Sequence, residues 1–449
     1  MERTLLGDLH AHKGETVSVS GWIEVRRDHG KLMFLVLRDR SSVVQAVIKS
    51  GVDAFDHAQE VRAQWVVQLE GIVNERPESM RKDEPNGDVE LMVTGLTIVS
   101  RAEELPFDMD AKLNLDTLLD FRPLTLRTQR ARDIFSVAAT IVQAYRTALI
   151  NRDFTEFQAP ALVGGDAEGG AEVFKVEYFD ERTAFLATSP QLYKEIMTGA
   201  FERVFTIAKI FRAEKSATTR HLSEVTQMDF EMAFIKDHID VMRMLEAIIR
   251  DVCAAVVTAH EDVFKRFETT PPLLPSGAFP TLTLLDAQEI LDAEFGAHST
   301  GEPDLEPEHE RQICEWAKRE KGSDFIFITE FPTRKRAFYT YPDPNNPERS
   351  LSFDLLFRGL EINSGSQRFH NYADMIATIK DRGMDSEKFA FYLQMHKYGV
   401  PPHGGCSTGL ERFTARMLEI ANVKEAVPFP RDMNRIDSRL AATDEPQKN

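Results

Sequence analysis

Residues 211–234, FRAEKSATTRHLSEVTQMDFEMAF, constrain this chain more than any other stretch. They read as two short strands joined by a long polar loop. In the first, Phe211 and Ala213 face one way and Arg212 and Glu214 the other. In the second, Phe230, Met232 and Phe234 alternate with Asp229 and Glu231. Paired antiparallel, the hairpin has one apolar face and one face bearing Arg212, Glu214, Asp229 and Glu231. The loop adds Lys215, Arg220 and His221. An arginine and carboxylates fixed on a sheet beneath a basic loop suit a triphosphate and its metal. The plainer alternative is an amphipathic edge hairpin with a solvated face. The hairpin alone leaves both open.

At 449 residues, a guide of about 150 residues per domain suggests two or three. No apolar run reaches the ~18 residues that span a bilayer. The start, MERTLLGDLHAHKGE, has no apolar core for a secretory signal. Cys253, Cys314 and Cys406 are scattered, without the spacing of disulfides or zinc sites, which points to a reducing, cytoplasmic compartment. The net charge of −18 opposes generic polyanion binding. Any contact with nucleic acid must then be carried by particular residues.

Segments 16–22, 32–37, 43–48, 65–73 and 89–99 are β-branched or apolar and separated by Asp28-His29-Gly30 and Pro85-Asn86-Gly87. Five strands in about 90 residues suit a small closed barrel of the OB type. Such barrels bind single-stranded nucleic acid by stacking bases on aromatics beside cations. Arg26, Arg27, Phe34, Arg38 and Gln45 are candidates, although Phe34 by itself also fits the core. His10 and His12 read as surface residues.

Residues 104–130 are charged and proline-containing and read as a hinge between a domain at 1–103 and one at 131–449, with 116–122 as one or two helical turns. Ile134, Val137, Ala138, Ile141, Tyr145 and Leu149 recur at helical spacing, predicting an amphipathic helix over 132–152. The segment FTEFQAPAL, with Pro160, follows as a strand. This helix and strand fit either a subunit contact or an ordinary core. Residues 163–173, VGGDAEGGAEV, have the glycine density of a mobile lid; Glu168 and Glu172 there could face an ammonium group. In SPQLYKEI, Ser189 is a candidate N-cap with Pro190 opening a helix, which puts Gln191 and Lys194 on one face of its first turn. A lysine at a helix start runs against the dipole, a small misfit that suits a substrate carboxylate. Residues 238–320 read as structural, helical at either end, with a solvated acidic stretch at 302–320.

In SFDLLFRGLEINSGSQR, residues 352–368, Asp354 and Glu361 stand on strand-like sequence. Carboxylates among Phe, Leu and Ile are costly unless paired or metal-bound, and an oxygen-rich Mg²⁺ site shared with phosphates resolves the cost. Ser364, Gln367 and Arg368 follow, with Gly365 allowing close backbone approach. In PPHGGCSTGLERFTARML, residues 401–418, glycines precede a helix whose apolar side is Leu410, Phe413 and Met417. Arg412 then sits at its anion-favouring end.

Taken in order, these motifs resemble the class II aminoacyl-tRNA synthetases. FRAE with TTRH resembles motif 2, GLER resembles motif 3, and the segment with Pro160 resembles the dimer-forming motif 1. The order of OB barrel, hinge and catalytic domain is that of the aspartyl/asparaginyl/lysyl subgroup. EGG, SPQLYK, FRGLEINSGSQR and PPHGG look like its aspartyl members of the archaeal type. The resemblance implies an α+β fold, an OB-type anticodon-binding barrel plus a catalytic domain built on an antiparallel sheet flanked by helices. It implies ATP-dependent activation of L-aspartate and its transfer to tRNA(Asp), with tRNA(Asn) an open second acceptor, in a cytoplasmic homodimer joined through 132–160. By resemblance Arg212 holds the α-phosphate and the substrate carboxylate, and Glu214 the adenine end. Arg220, His221 and Leu222 meet ATP, with Gly409 and Arg412 against the adenine. Asp354, Glu361 and Ser364 hold Mg²⁺, while Glu168, Gln191, Lys194, Ser364 and Arg368 form the amino-acid pocket. Arg212, Glu361 and Arg412 carry the chemistry, and Arg27, Phe34 and Gln45 read the anticodon. Two cations, Lys194 and Arg368, would favour a side-chain carboxylate over an amide.

The chain departs from the family pattern at Lys215-Ser216-Ala217 and Val225-Thr226, where motif 2 approaches the tRNA end, and at Glu24, an acid near the anticodon surface. The alternatives are an asparaginyl-tRNA synthetase and a non-catalytic RNA-binding paralogue. Lys194 speaks against the first and the full set of nucleotide residues against the second.

Overall fold

Period-two alternation closes the first hundred residues into a barrel. The strands Thr16–Asp28, Leu32–Arg38, Val43–Lys49, Val66–Glu75 and Val89–Ser100 join in the order first, second, third, fifth, fourth. Met33, Leu35 and Leu37, with Val44, Ala46 and Ile48, point into its core, while the alternate residues face outward. All five expected strands are present. A computed structural model describes residues 1–165, 172–216 and 218–436, and the chain divides into two units, Met1–Ala111 and Lys112–Asn449. Leu115–Asp120 and Arg122–Thr125, in the expected hinge, are helical. Arg122 is buried in the second unit, donating to the carbonyls of Pro428 and Val427, each at 2.7 Å.

The second unit is built on an eight-stranded sheet. Its spatial order is Thr281–Thr283, Phe325–Thr329, Ser352–Phe357, Leu360–Gln367, His403–Gly409, Glu224–Ala233, Arg203–Phe211 and Thr155–Glu156. Neighbours run antiparallel except at the two edges, where short strands pair parallel. One face, with Phe205, Met228, Phe230, Phe353 and Cys406, is covered by the helices Gln129–Ile150 and His238–Ala259. Thr128 caps the first of these by accepting from the Ala131 N–H. No described helix is long and apolar enough to cross a membrane.

Three local expectations are corrected. The first hairpin strand pairs from Arg203 to Phe211, so Arg212 and Glu214 lie beyond the ladder, not on a strand face. The β-branched and aromatic alternation of RVFTIAKIF already satisfies the sheet, and the chain leaves it where its N–H groups find other loops. Phe211 donates to Ala187 and Ala213 to Glu172. Phe234 is 68% exposed at a φ of +57°, past the strand end, so it forms no part of the apolar face. The strand expected around Pro160 shrinks to Thr155–Glu156, because proline cannot donate to the ladder.

Candidate active site

The sheet face opposite the two long helices carries the polar residues of the same strands. Asp229 and Glu231 alternate with Phe230 and are fully buried, which excludes the solvated-edge alternative. Their backbone neighbour is Gly405, across the ladder from Glu231. A Cβ there would stand 2.1 Å from the Phe230 carbonyl oxygen and 2.2 Å from the Glu231 carboxylate. Glycine is what leaves space for the acid. Gly365 is tight in the same way, its missing Cβ falling 2.6 Å from that of Cys406.

Two cations meet these carboxylates. Lys194, on the helix Gln191–Phe201, donates to Asp229 at 2.9 Å and to the Cys406 carbonyl at 3.1 Å, with Glu231 at 3.5 Å. Arg368 donates to Glu231 at 2.9 and 3.3 Å and to the Gly405 carbonyl at 3.0 Å. Glu195 adds a third carboxylate, accepting from Gln191 at 2.7 Å and from the Tyr392 hydroxyl at 2.6 Å. Each ring nitrogen of His403 faces an oxygen, Pro401 O at 2.9 Å and Glu195 at 3.3 Å. Burial alone would raise the Glu195 pKa, but the hydrogen bond and charge of His403, with the charge of Arg368, bring it down to about 2.

Both cations of the cluster are therefore already paired with carboxylates, and this corrects the specificity argument. Lys194 and Arg368 are not unpaired cations waiting for a substrate carboxylate. Lys194 is wholly buried behind the wall of the adjoining cavity, and Arg368 is on that wall.

The cavity, of about 360 Å³, is also lined by Gln191, Arg212, Glu214, Arg220, His221, Leu222, Glu361, Ser364, Gly409 and Arg412. Residues as far apart in the chain as Gln191 and Arg412 thus share one wall. Arg412, in the first turn of the helix Leu410–Met417, donates to the Glu361 carbonyl at 3.0 Å and lies 3.4 Å from its carboxylate. His221 Nδ1 is 2.5 Å from the Thr218 hydroxyl, and burial followed by the charge of Arg412 lowers its pKa. Arg220 is paired through both terminal nitrogens with Glu310, at 2.9 and 3.2 Å. Glu310 stands on the helix Pro307–Lys321, and burial raises its pKa to about 7 against the opposing charge of Arg220. This corrects the reading of 302–320 as solvated at Glu310, which is buried.

Asp354 and Ser364 are directly opposite in the hairpin ladder. Arg336 bridges them, donating to Asp354 at 2.8 Å and to the Ser364 hydroxyl at 3.3 Å, with its guanidinium 3.7 Å from the Phe331 ring centre. Asp354 Oδ1 is buried and has no hydrogen-bond partner in the structure. Among the described residues no three His, Cys, Asp or Glu side chains cluster into a metal site. Two carboxylates with a hydroxyl remain the donor set, and the orphaned oxygen fits a hard cation that completes its shell with phosphates and water.

On the barrel, Arg27 and Phe34 are cross-strand partners, as are Val36 and Gln45. Phe34 is half-buried on the outer face, edge-on to His29, so the core alternative for it is excluded. Glu24 accepts from Arg38 at 2.7 Å, which neutralises the unexpected acid. Glu168, with most of the glycine-rich stretch, lies outside the described residues.

The sequence reading gave no site role to Glu195, His403, Glu310 or Arg336. Only Glu195 left a signal, a carboxylate four residues after Gln191 and therefore on its helix face.

A sheet carrying an arginine-lined cavity beside a buried ion cluster, preceded in the chain by an OB barrel, defines an adenylate-forming tRNA ligase of class II. The chain belongs to the tRNA synthetases class II (D, K and N), whose family model matches residues 114–433, and the OB-fold nucleic acid binding domain model matches 17–99. It is 41% identical over 438 residues to the aspartate–tRNA(Asp/Asn) ligase of Thermus thermophilus, covering 97% of this chain and 99% of that one. It is 37% identical to the aspartate–tRNA(Asp) ligase of Pyrococcus horikoshii, covering 94% and 96%. Among solved structures, the asparaginyl-tRNA synthetase of Pyrococcus horikoshii complexed with asparaginyl-adenylate superimposes with a TM-score of 0.88 at 31% identity, covering 97% of this chain and 99% of that one.

Proposed function

We propose that this protein uses ATP to convert L-aspartate into aspartyl-adenylate and transfers the aspartyl group to tRNA(Asp), with tRNA(Asn) as a second acceptor. The observation that carries the reading is the single cavity joining Arg212, Arg220 and Arg412 to Arg368. The Thermus thermophilus relative, an aspartate–tRNA(Asp/Asn) ligase, supports both acceptors.

In the first step an oxygen of the aspartate α-carboxylate bonds to the α-phosphorus, the bond from phosphorus to the bridging oxygen breaks, and pyrophosphate leaves. No general base is required. Arg212 neutralises the charge growing on the α-phosphate, Arg220 and His221 take the outer phosphates, and Arg412 packs on the adenine with Glu214 at its edge. Arg368 orients the side-chain carboxylate, and Gln191 and Ser364 line the same cavity. Lys194 acts from behind by fixing Asp229 and Glu231. Asp354, Glu361 and Ser364 would hold Mg²⁺, which when bound supplies charge neutralisation at the phosphates. In the second step a terminal tRNA hydroxyl attacks the anhydride carbonyl and AMP leaves.

Aspartate-dependent exchange of labelled pyrophosphate into ATP tests the reading directly. Exchange is expected with aspartate and not with asparagine. Support from asparagine alone would favour the reading that the superposition on an asparaginyl enzyme suggests. Transcripts of tRNA(Asp) and tRNA(Asn), charged separately, then decide the acceptor.

On the barrel, Arg27, Phe34 and Gln45 are proposed to hold the anticodon. Phe34→Ala should lower kcat/KM for tRNA about ten-fold, since stacking one base is worth roughly 1–3 kcal/mol. Pyrophosphate exchange should not change, and a parallel loss there would remove the anticodon role.

A homodimer through 132–160 is supported by the outward side of the helix Gln129–Ile150. There Phe135, Ala138 and Val142 border an apolar groove with Val427. Free, buried Cys253, Cys314 and Cys406 suit a cytoplasmic location.

A further inference from the structure

Three donors converge on the carboxylate of Glu310, two from Arg220 and the backbone N–H of Glu361 at 2.9 Å. Glu361 in turn accepts from Arg412. One side chain thus joins the loop between the first hairpin strands to the segment that meets motif 3. The helix that carries Glu310 is anchored elsewhere. Ile313, Cys314 and Ala317 pack into an apolar cluster with Ile326, Ile328 and Leu356. The carboxylate is therefore not what holds the helix in place.

Arg220 has a different need. It sits on a loop, its side chain is 23% exposed, and a free arginine has many rotamers to lose on being held. A two-pronged bond to a carboxylate occupies one N–H on each terminal nitrogen and leaves the others, with Nε–H, for a second acceptor. Arg220 borders the cavity.

We propose that Glu310 is a positioning residue, holding the Arg220 guanidinium against the cavity wall so that its remaining N–H donors meet the outer phosphates of ATP. The inference rests on the reading of the cavity as an ATP site.

Steady-state exchange with Glu310→Gln, Arg220→Ala and the double variant tests it. Glu310→Gln should raise KM for ATP about ten-fold and leave KM for aspartate unchanged. The double variant should be no worse than Arg220→Ala alone, because the amide oxygen of Gln can still accept from the Glu361 N–H and what Glu310→Gln loses is the two-pronged bond to Arg220. A wild-type or lowered KM for ATP, equal losses for both substrates, or multiplying effects in the double variant would overturn the proposal. Arg220→Lys, in the otherwise intact chain, keeps the charge but cannot make the two-pronged bond. It should raise KM for ATP to a similar degree, and a wild-type value there also counts against Glu310. Equilibrium dialysis of labelled ATP gives the same comparisons without aspartate. Binding of ATP without aspartate-dependent exchange would remove the aspartate reading, and the ratio of ATP dissociation constants would still decide the role of Glu310.

Discussion

Lys194→Met is expected to cost about 3–5 kcal/mol of unfolding free energy, the usual loss when one partner of a buried ion pair is removed. It is also expected to reduce aspartate-dependent exchange at least a hundred-fold. Lys194, Asp229 and Glu231 are each fully buried, so no water replaces the lost ammonium. Asp229 keeps the Ser407 hydroxyl at 2.7 Å and Glu231 keeps Arg368, yet these two carboxylates would then share one cation. The excess charge falls on Asp229, which loses its 2.9 Å partner two residues from Glu231 on the same strand face, and Glu231 orients Arg368 at the cavity wall. Urea denaturation measures the first effect and pyrophosphate exchange the second. Lys194→Met with Asp229→Asn should recover much of the stability, since it removes the uncompensated charge, and little of the activity. A single variant within 1 kcal/mol of the parent would show that the cluster does not hold the ion pair described.

Arg212→Ala should separate chemistry from stability in the opposite way. The side chain is half-buried on the cavity wall beyond the strand end, so the melting temperature should hardly move. Exchange should fall about 10²–10³-fold, corresponding to roughly 2.7–4 kcal/mol for one donor aimed at developing charge. The loss should appear in kcat, because the α-phosphate gains its charge during the displacement. A variant that raised only KM for ATP would reduce Arg212 to a ground-state contact.

The two predictions draw on residues that the chain discloses very differently. Arg212 stands in a motif whose neighbours, Glu214, Arg220 and His221, are local in sequence. Its place on the cavity wall with those residues could be read from type and order. Lys194 was legible as a lysine oddly placed in a first helical turn, but not as a buried one. Its partners are 35 and 212 residues away in the chain, and no local pattern reports pairings of that range. Glu310 is the extreme case. Its helix carries exposed glutamates such as Glu308, and nothing in its composition marks the one that turns inward to Arg220, 90 residues distant.

The barrel was readable because strand periodicity and turn breakers are local and repeat five times over. The hairpin's Asp229 and Glu231 were readable as one polar face, since side chains on a strand must alternate. Whether that face met water, phosphate or buried cations was decided by which elements close over it. Desolvation makes an unpaired charge expensive, so burial of Asp229 and Glu231 required Lys194 and Arg368 to come with them. By itself the sequence determined the elements, their polar and apolar faces and the order of the motifs. The tertiary structure alone decided the charge balance, because electrostatic pairing depends on distance in space and not on separation along the chain.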